Sequence, residues 1–162
     1  MKRIPYRTEL KGALWFSGIR LGWTAAERLL GLHDTHIQHQ HTVDMFFIFP
    51  ALTIYMMAMQ HKKRTVMQGQ MNYLDGLISG LIMTAMITVM SPLVIYLGMS
   101  VISPSYFSHA IAYVTSKGMM STSVATDYFS LPHFMKQAAV GHMSLGSITA
   151  AVTAYFVRSK SA

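Results

Sequence analysis

The sequence predicts an all-α polytopic membrane protein with four transmembrane helices and an amphipathic helical hairpin between the third and the fourth. Charged residues make up only 12% of its 162 residues, whereas soluble domains carry about a quarter. The apolar residues are also clustered in runs that approach the roughly 20 residues needed to cross a bilayer. A chain of this length is expected to form a single membrane domain, 1–162.

Four apolar runs give the predicted transmembrane helices, at about 9–31, 43–60, 72–103 and 134–157. The first run is interrupted by charged residues, among them Arg20, Glu27 and Arg28, and the second is short in its strictly apolar part. The third would extend about 48 Å as one helix, which exceeds the ~30 Å hydrocarbon core, so we expect it to project outward. The basic N-terminus lacks a clean cleavage site after its apolar stretch, and the first helix is therefore expected to be retained.

The segment 104–133 is predicted to form the helical hairpin on the outer surface of the membrane. Phe107, Ile111 and Val114 recur at the spacing of an amphipathic helix. Ser121 is a suitable N-cap for a second short helix.

The distribution of lysine and arginine predicts the orientation. Basic residues concentrate at both termini and in the 61–71 loop, which places these parts in the cytoplasm by the positive-inside rule. The net charge of +7 then reflects topology and attraction to anionic lipid, and no nucleic-acid-binding motif accompanies it. The residues that carry this prediction are Lys2, Arg3, Arg7, Lys11, Lys62, Lys63, Arg64, Arg158 and Lys160.

Small residues at intervals of four predict close packing between helices. Because this spacing fits association within one chain as well as between chains, it does not separate the two, and we favour packing within the chain. The predicted faces are Gly18, Gly22 and Ala26 on the first helix, Gly76 and Gly80 on the third, and Gly146, Ala150 and Ala154 on the fourth.

Several stretches resemble an uncharacterised family of bacterial membrane proteins, domain of unknown function 4199. They include "ERLLGLHD" (27–34), "QGQMNYLDGLISGLIMT" (68–84), "SPLVIY" (91–96), "ISPSYF" (102–107) and "GMMSTSVATDYFSL" (118–131). The resemblance implies four membrane helices and an origin in a Gram-negative bacterium, with no known activity, substrate or cofactor. We accordingly expect the protein in the bacterial inner membrane. Relatives carry acidic residues where this chain has "TSVAT". The matching positions include Glu27, Gly31, His33, Asp34, Gly69, Met71, Gly76, Gly80, Thr84, Pro92, Tyr96, Pro104, Tyr106 and Phe107.

The stretch "HDTHIQHQH" (33–41) is the candidate metal site. Imidazole and carboxylate ligands suit divalent transition metals such as Zn, Cu, Ni or Fe, and no other cofactor is expected. Three-residue spacing would bring histidines together on a helical turn, whereas His39 and His41 share a side only in an extended segment. The pattern favours a solvated polar turn capped by Asp34, with metal binding or pH sensing as the alternatives. The candidate ligands are His33, Asp34, His36, His39 and His41, with Asp44, His109 and His133 as further donors.

Arg20, Glu27 and His142 are the candidate polar residues within the membrane. Such residues usually face the interior of a bundle or a wet cavity. Glu27 and His142 are expected at comparable depths and facing each other. They would form either hydrogen bonds between helices or a path for protons or ions.

These patterns favour a non-catalytic protein. No cysteine is present, and no serine–histidine–acid spacing or phosphate-binding loop stands out. The expected function is an accessory or scaffold subunit of an envelope assembly, with the lipid bilayer, another envelope membrane protein or a second copy as partner. The alternative is a small transporter, channel or sensor for protons or a divalent metal.

Overall fold

A computed structural model describes residues 6–159 as an all-α protein. The all-α prediction is confirmed over this range, in which no strand is present. Lys2, Arg3 and Lys160, which contribute to the predicted orientation, lie outside the described residues. The helices are α1 (Arg7–Leu29), α2 (Ile37–Met45), α3 (Ile48–Thr65), α4 (Tyr73–Tyr96), α5 (Tyr106–Ser116), α6 (Thr122–Tyr128) and α7 (Leu131–Val157), and a π-helical segment (Leu97–Ile102) extends α4.

Helices α1, α3, α4 and α7 form a bundle in which neighbours along the chain run in opposite directions. Gly12 lies against Met83, and Gly98 lies against Thr24, so α1 and α4 are parallel. Gly76 lies against Ala154, whereas Gly80 lies against Ala150, so α7 runs the other way. We call the end formed by residues 30–47 and 97–134 the hairpin end. The opposite end, formed by residues 6–12, 62–76 and 150–159, is the terminal end.

Close packing of α4 against α7 depends on small residues. A Cβ atom added at Gly80 would lie 2.5 Å from the Cβ of Ala150, so only glycine allows this approach. The predicted packing faces on these two helices are therefore used within the chain.

The predicted packing face on α1 is wrong. An added Cβ at Gly18 or Gly22 would meet nothing within 4 Å, and Ala26 is exposed. Helix α1 instead turns its opposite side, which carries Glu9 and Glu27, into the bundle. The spacing of small residues identifies a face that permits close approach, but it does not show whether the chain itself fills that face.

At the hairpin end, one helix cap agrees with the sequence prediction, whereas the buried side of α5 and the bounds of the second bundle helix differ from it. Ser121 caps α6 by accepting a hydrogen bond from the Val124 N–H at 3.5 Å, as the sequence predicts. The buried side of α5 is formed by Tyr106, Ala110 and Val114, because the helix is rotated by about one residue from the predicted stripe. The helix predicted at 43–60 corresponds to α3, which lies about five residues later at Ile48–Thr65, and the polar residues before it form the separate helix α2.

Three helical stretches are long and apolar enough to cross a membrane: Ile37–Thr65, Tyr73–Ile102 and Leu131–Val157. Their lengths and compositions show a protein of the membrane-associated type. Helix α1 is long enough, at 23 residues, but it is not among them because it contains more charged residues.

Candidate functional site

A buried polar cluster at the hairpin end joins α1, the turn after it and the end of the π-helical segment. His33 Nδ1 lies 2.9 Å from Ser103 Oγ, and His33 Nε2 lies 3.5 Å from Glu27 Oε2. Glu27 Oε1 also accepts a hydrogen bond of 3.0 Å from Trp23 Nε1. The side chains of Glu27 and His33 are each only 3% exposed. The buried cluster thus links parts of the chain that are 70 residues apart.

The turn that places His33 follows from local sequence. Gly31 has φ +72°, a left-handed conformation that glycine adopts without steric cost, and it ends α1 as the sequence predicts. The turn reverses the chain over the end of α1, which brings His33 next to Glu27 in the last turn of that helix. A Cβ at Gly31 would in addition lie 2.5 Å from Thr35 Oγ1.

Helix α5 packs against the buried cluster through His109 and Tyr106. His109 Nδ1 lies 3.0 Å from the carbonyl oxygen of His33, and the His33 ring packs edge-on against Tyr106 with 5.0 Å between centroids. Burial, followed by the negative charges of Asp44 and Glu27, raises the pKa of the Tyr106 hydroxyl. This hydroxyl therefore stays protonated and donates to Gln40 Oε1 at 3.3 Å.

The residue types in this cluster are those of a serine–histidine–acid triad, but the surroundings do not favour nucleophilic chemistry. A triad works with donors aimed at the oxyanion. The N–H of Ser103 is already donated to the Gly98 carbonyl at 2.9 Å, and the next residue, Pro104, has no N–H. Ser103 is also only 4% exposed. The arrangement instead fits hydrogen bonding between segments, and the expected lack of enzymatic activity stays a prediction.

The other candidate metal ligands do not join His33. His36 Nδ1 lies 3.0 Å from Thr35 Oγ1, and His39 contacts Gln38. Residues 37–45 are helical, so His39 and His41 point to different sides, and the proposed sharing of a side in an extended segment is wrong. Within residues 6–159, no three histidine or acidic side chains are grouped in a way that could hold a metal ion. Metal binding by this stretch stays a prediction.

Asp34 belongs to the turn after α1 and is not part of the buried cluster. It is fully exposed, and hydrogen bonds from the Thr35 N–H and then the Thr35 hydroxyl lower the pKa of its carboxyl group. The geometry is that of a local cap on the turn.

The predicted pairing of Glu27 with His142 is wrong. His142 packs edge-on against Phe16, with 5.6 Å between ring centroids, and Phe16 lies about 16 Å from Glu27 along α1 at helical rise. Arg20 pairs with Asp44, and its guanidinium lies 4.9 Å from the centre of the Phe47 ring. Depth estimated from hydropathy fixed neither the rotation nor the register of the two helices.

A groove of about 370 Å³ opens between α1, α3 and α7. Arg20, His41 and Asp44 lie at its hairpin end, and His142 lies in its wall. The remainder is mainly apolar and extends to Tyr55, whose hydroxyl lies 2.8 Å from Thr84 Oγ1. Of the predicted polar residues, Arg20 and His142 thus belong to the groove, whereas Glu27 belongs to the buried cluster at the hairpin end.

A second buried ionic cluster, at the terminal end, was missed by sequence reasoning. Lys62 pairs with Glu9, and the two side chains are 3% and 1% exposed. Ser79 Oγ donates to the same carboxylate oxygen at 2.6 Å, whereas Glu9 Oε2 is buried without a hydrogen-bond partner in the described part of the chain. In the sequence, Lys62 was used only to predict the orientation in the membrane. Glu9, near the start of α1, could have suggested a partner for it.

The fold and these clusters define a small helical bundle of the membrane-associated type. A family model described as "Protein of unknown function (DUF4199)" matches residues 13–159, and the chain belongs to this family. Two of the stretches that carry the resemblance, 27–34 and 102–107, meet at Glu27, His33 and Ser103. No curated protein and no solved structure matches the chain.

Proposed function

We propose that all four bundle helices cross the inner membrane of a bacterium, with both termini in the cytoplasm. The three apolar stretches supply three of the spans. The fourth is α1, and the partners of three of its charged residues support this assignment: Glu9 pairs with Lys62, Arg20 pairs with Asp44, and Glu27 lies 3.5 Å from His33. Charged residues in membrane helices usually face the bundle and pair with one another.

The absence of cysteine makes single-cysteine labelling a direct test of this topology. Tyr6 precedes α1 and Gln38 follows it, so the two positions lie beyond opposite ends of this helix, and both are exposed. With a membrane-impermeant maleimide applied to intact cells, Gln38→Cys should react and Tyr6→Cys should react only after permeabilisation. Reaction of both variants from the same side would show that α1 does not cross the membrane.

The function that the geometry supports best is that of a non-catalytic accessory or scaffold subunit of an envelope assembly. One observation carries this proposal: Gly18, Gly22 and Ala26 form an exposed face on α1 that no other part of the described chain covers. The comparable small residues of α4 and α7 are packed against each other. In lipid, such faces let a further helix approach closely, and the partner is another envelope membrane protein or a second copy of this chain.

The test of association places a larger side chain on this face of α1 and compares the effect with the same substitution at a position expected to face lipid. Gly22→Leu adds bulk where nothing lies within 4 Å, and Ala85→Leu adds bulk at an exposed position on α4. In native mass spectrometry of mild-detergent extracts, the wild type and Ala85→Leu should exceed the 18.1 kDa of one chain by a constant mass. Gly22→Leu should be monomeric. A wild type that is itself monomeric would contradict the scaffold function.

A second candidate is movement or sensing of protons or a divalent metal, because two buried titratable groups, Glu27 and His33, face each other. His33 Nε2 is buried and makes no hydrogen bond within the described residues. In proteoliposomes, Glu27→Gln should abolish proton or metal flux while the protein stays inserted, and unchanged flux would exclude this role for Glu27. Elemental mass spectrometry with His33→Ala as control measures any bound transition metal.

A further inference from the structure

The groove between α1, α3 and α7 has the composition of a site for an amphiphilic molecule. Pockets for small molecules are typically 300–1,000 Å³, mostly apolar, with a few convergent polar groups, and they occur between the helices of bundles. This groove has a volume of about 370 Å³. Its charged residues, Arg20 and Asp44, lie together at the hairpin end, while Phe16, Ile48 and Leu145 are among the apolar residues that line it.

The length of the groove matches one leaflet of a bilayer. Ala138 and Thr149 both line it, and they are separated by about 16 Å along α7 at helical rise. Half of a ~30 Å hydrocarbon core is about 15 Å. A ligand with its polar group beside Arg20 would therefore extend an acyl chain alongside His142 toward Tyr55.

The charges at the hairpin end of the groove favour a headgroup that carries both signs. Arg20 and Asp44 form an ion pair, and their side chains are 20% and 33% exposed. An anionic headgroup would compete with Asp44 for Arg20 and leave the carboxylate unpaired. A zwitterionic headgroup supplies a phosphate for Arg20 and an ammonium group for Asp44, so that both charges keep a partner.

We propose that this groove binds one phospholipid with a phosphoethanolamine headgroup, with its phosphate at Arg20, its ammonium group at Asp44 and one acyl chain between α3 and α7. The proposal rests on the membrane placement proposed above but not on the scaffold function. Arg20 and Asp44 give the site its selectivity, whereas Gly141 leaves room for the chain, since a Cβ there would meet nothing within 4 Å.

Gly141→Leu tests the site because it fills the groove without disturbing a packed contact. The purified protein is delipidated in detergent, incubated with equimolar phosphatidylethanolamine and phosphatidylglycerol, and analysed by native mass spectrometry. The wild type and Ala85→Leu should retain one phosphatidylethanolamine per chain. Gly141→Leu should lose at least about tenfold in affinity, which corresponds to losing the burial of a few methylene groups.

A paired variant, Arg20→Gln with Asp44→Asn, tests the headgroup assignment without leaving one charge unpaired. It should bind both lipids equally while Gly141→Leu binds neither. Preference of the wild type for phosphatidylglycerol would overturn the headgroup assignment. Equal lipid retention by the wild type and a folded Gly141→Leu would overturn the site. If Gly141→Leu does not fold, selectivity that persists in the paired variant would overturn the proposal instead.

The outcomes also separate this proposal from the proposed function. Cysteine labelling that places Tyr6 and Gln38 on one side of the membrane would remove the four-span topology irrespective of lipid retention. With the topology confirmed, failure of selective lipid retention overturns only the lipid site.

Discussion

The buried pair of Lys62 and Glu9 gives the sharpest prediction for stability. Lys62→Met keeps an unbranched side chain but removes the ammonium group, which leaves the Glu9 carboxylate with one hydrogen bond, from Ser79. Because both members of the pair are at most 3% exposed, water cannot replace the lost partner. Removal of one member of such a pair costs about 3–5 kcal/mol of the free energy of unfolding.

The double variant Glu9→Gln with Lys62→Met should recover most of this loss. Neither residue is then charged, the glutamine retains the shape of the carboxylate, and replacing a buried pair as a unit is often close to neutral. We therefore expect the double variant to lie within about 1–2 kcal/mol of the wild type, with strong coupling between the two positions.

The assay is reversible unfolding in mixed micelles of a mild detergent and dodecyl sulfate, followed by tryptophan fluorescence. Arg64→Met serves as the control, because Arg64 is an exposed neighbour on the same helix, and such substitutions usually change stability by no more than about 0.5 kcal/mol. A cost below about 1 kcal/mol for Lys62→Met, additive with Glu9→Gln, would be the behaviour of a solvated surface pair and would refute this reasoning.

Two further predictions concern packing and the turn. Gly80→Val should destabilise the bundle by about 1–3 kcal/mol through overpacking, because an added Cβ would lie 2.5 Å from that of Ala150. Thermal unfolding should show no comparable loss for Ala85→Val, at an exposed position on the same helix. Thr35→Val should raise the pKa of Asp34 part of the way toward its ordinary value of 3.8, as followed by carboxyl NMR shifts. Because the pKa of Asp34 is lower in the folded protein, its wild-type contribution to stability is fully present above the ordinary value of 3.8 and is lost as the pH falls through the folded pKa. An unchanged titration of Asp34 in the variant would contradict the role of the Thr35 hydroxyl.

The fold class and the position of the apolar helices were accessible from sequence, because both follow from local properties of the chain. The run predicted at 72–103 corresponds to the continuous helical stretch Tyr73–Ile102. The end of α1 at Gly31 and the cap at Ser121 were also predictable, since each depends on one residue and its immediate neighbours.

The partners of the charged residues were not accessible in the same way. Hydropathy places Glu27 and His142 at a depth in the membrane, but contact also depends on the rotation and register of each helix. Glu27 meets His33 because a glycine turn brings the chain back, and Ser103 joins them only after the third bundle helix has been placed. Composition also excludes α1 from the membrane-type helices, since it counts charged residues without regard to their pairing.

The pairing of α1 implies an order of events during synthesis. Glu9 leaves the ribosome before its partners Lys62 and Ser79, and Arg20 leaves it before Asp44. A charged residue held without a partner at the centre of a bilayer costs about 2.5–3.5 kcal/mol on insertion scales. If α1 crosses the membrane as proposed, it is therefore expected to settle fully into the bilayer only after α3 and α4 have been translated, so that α1 is made before these helices but secured after them.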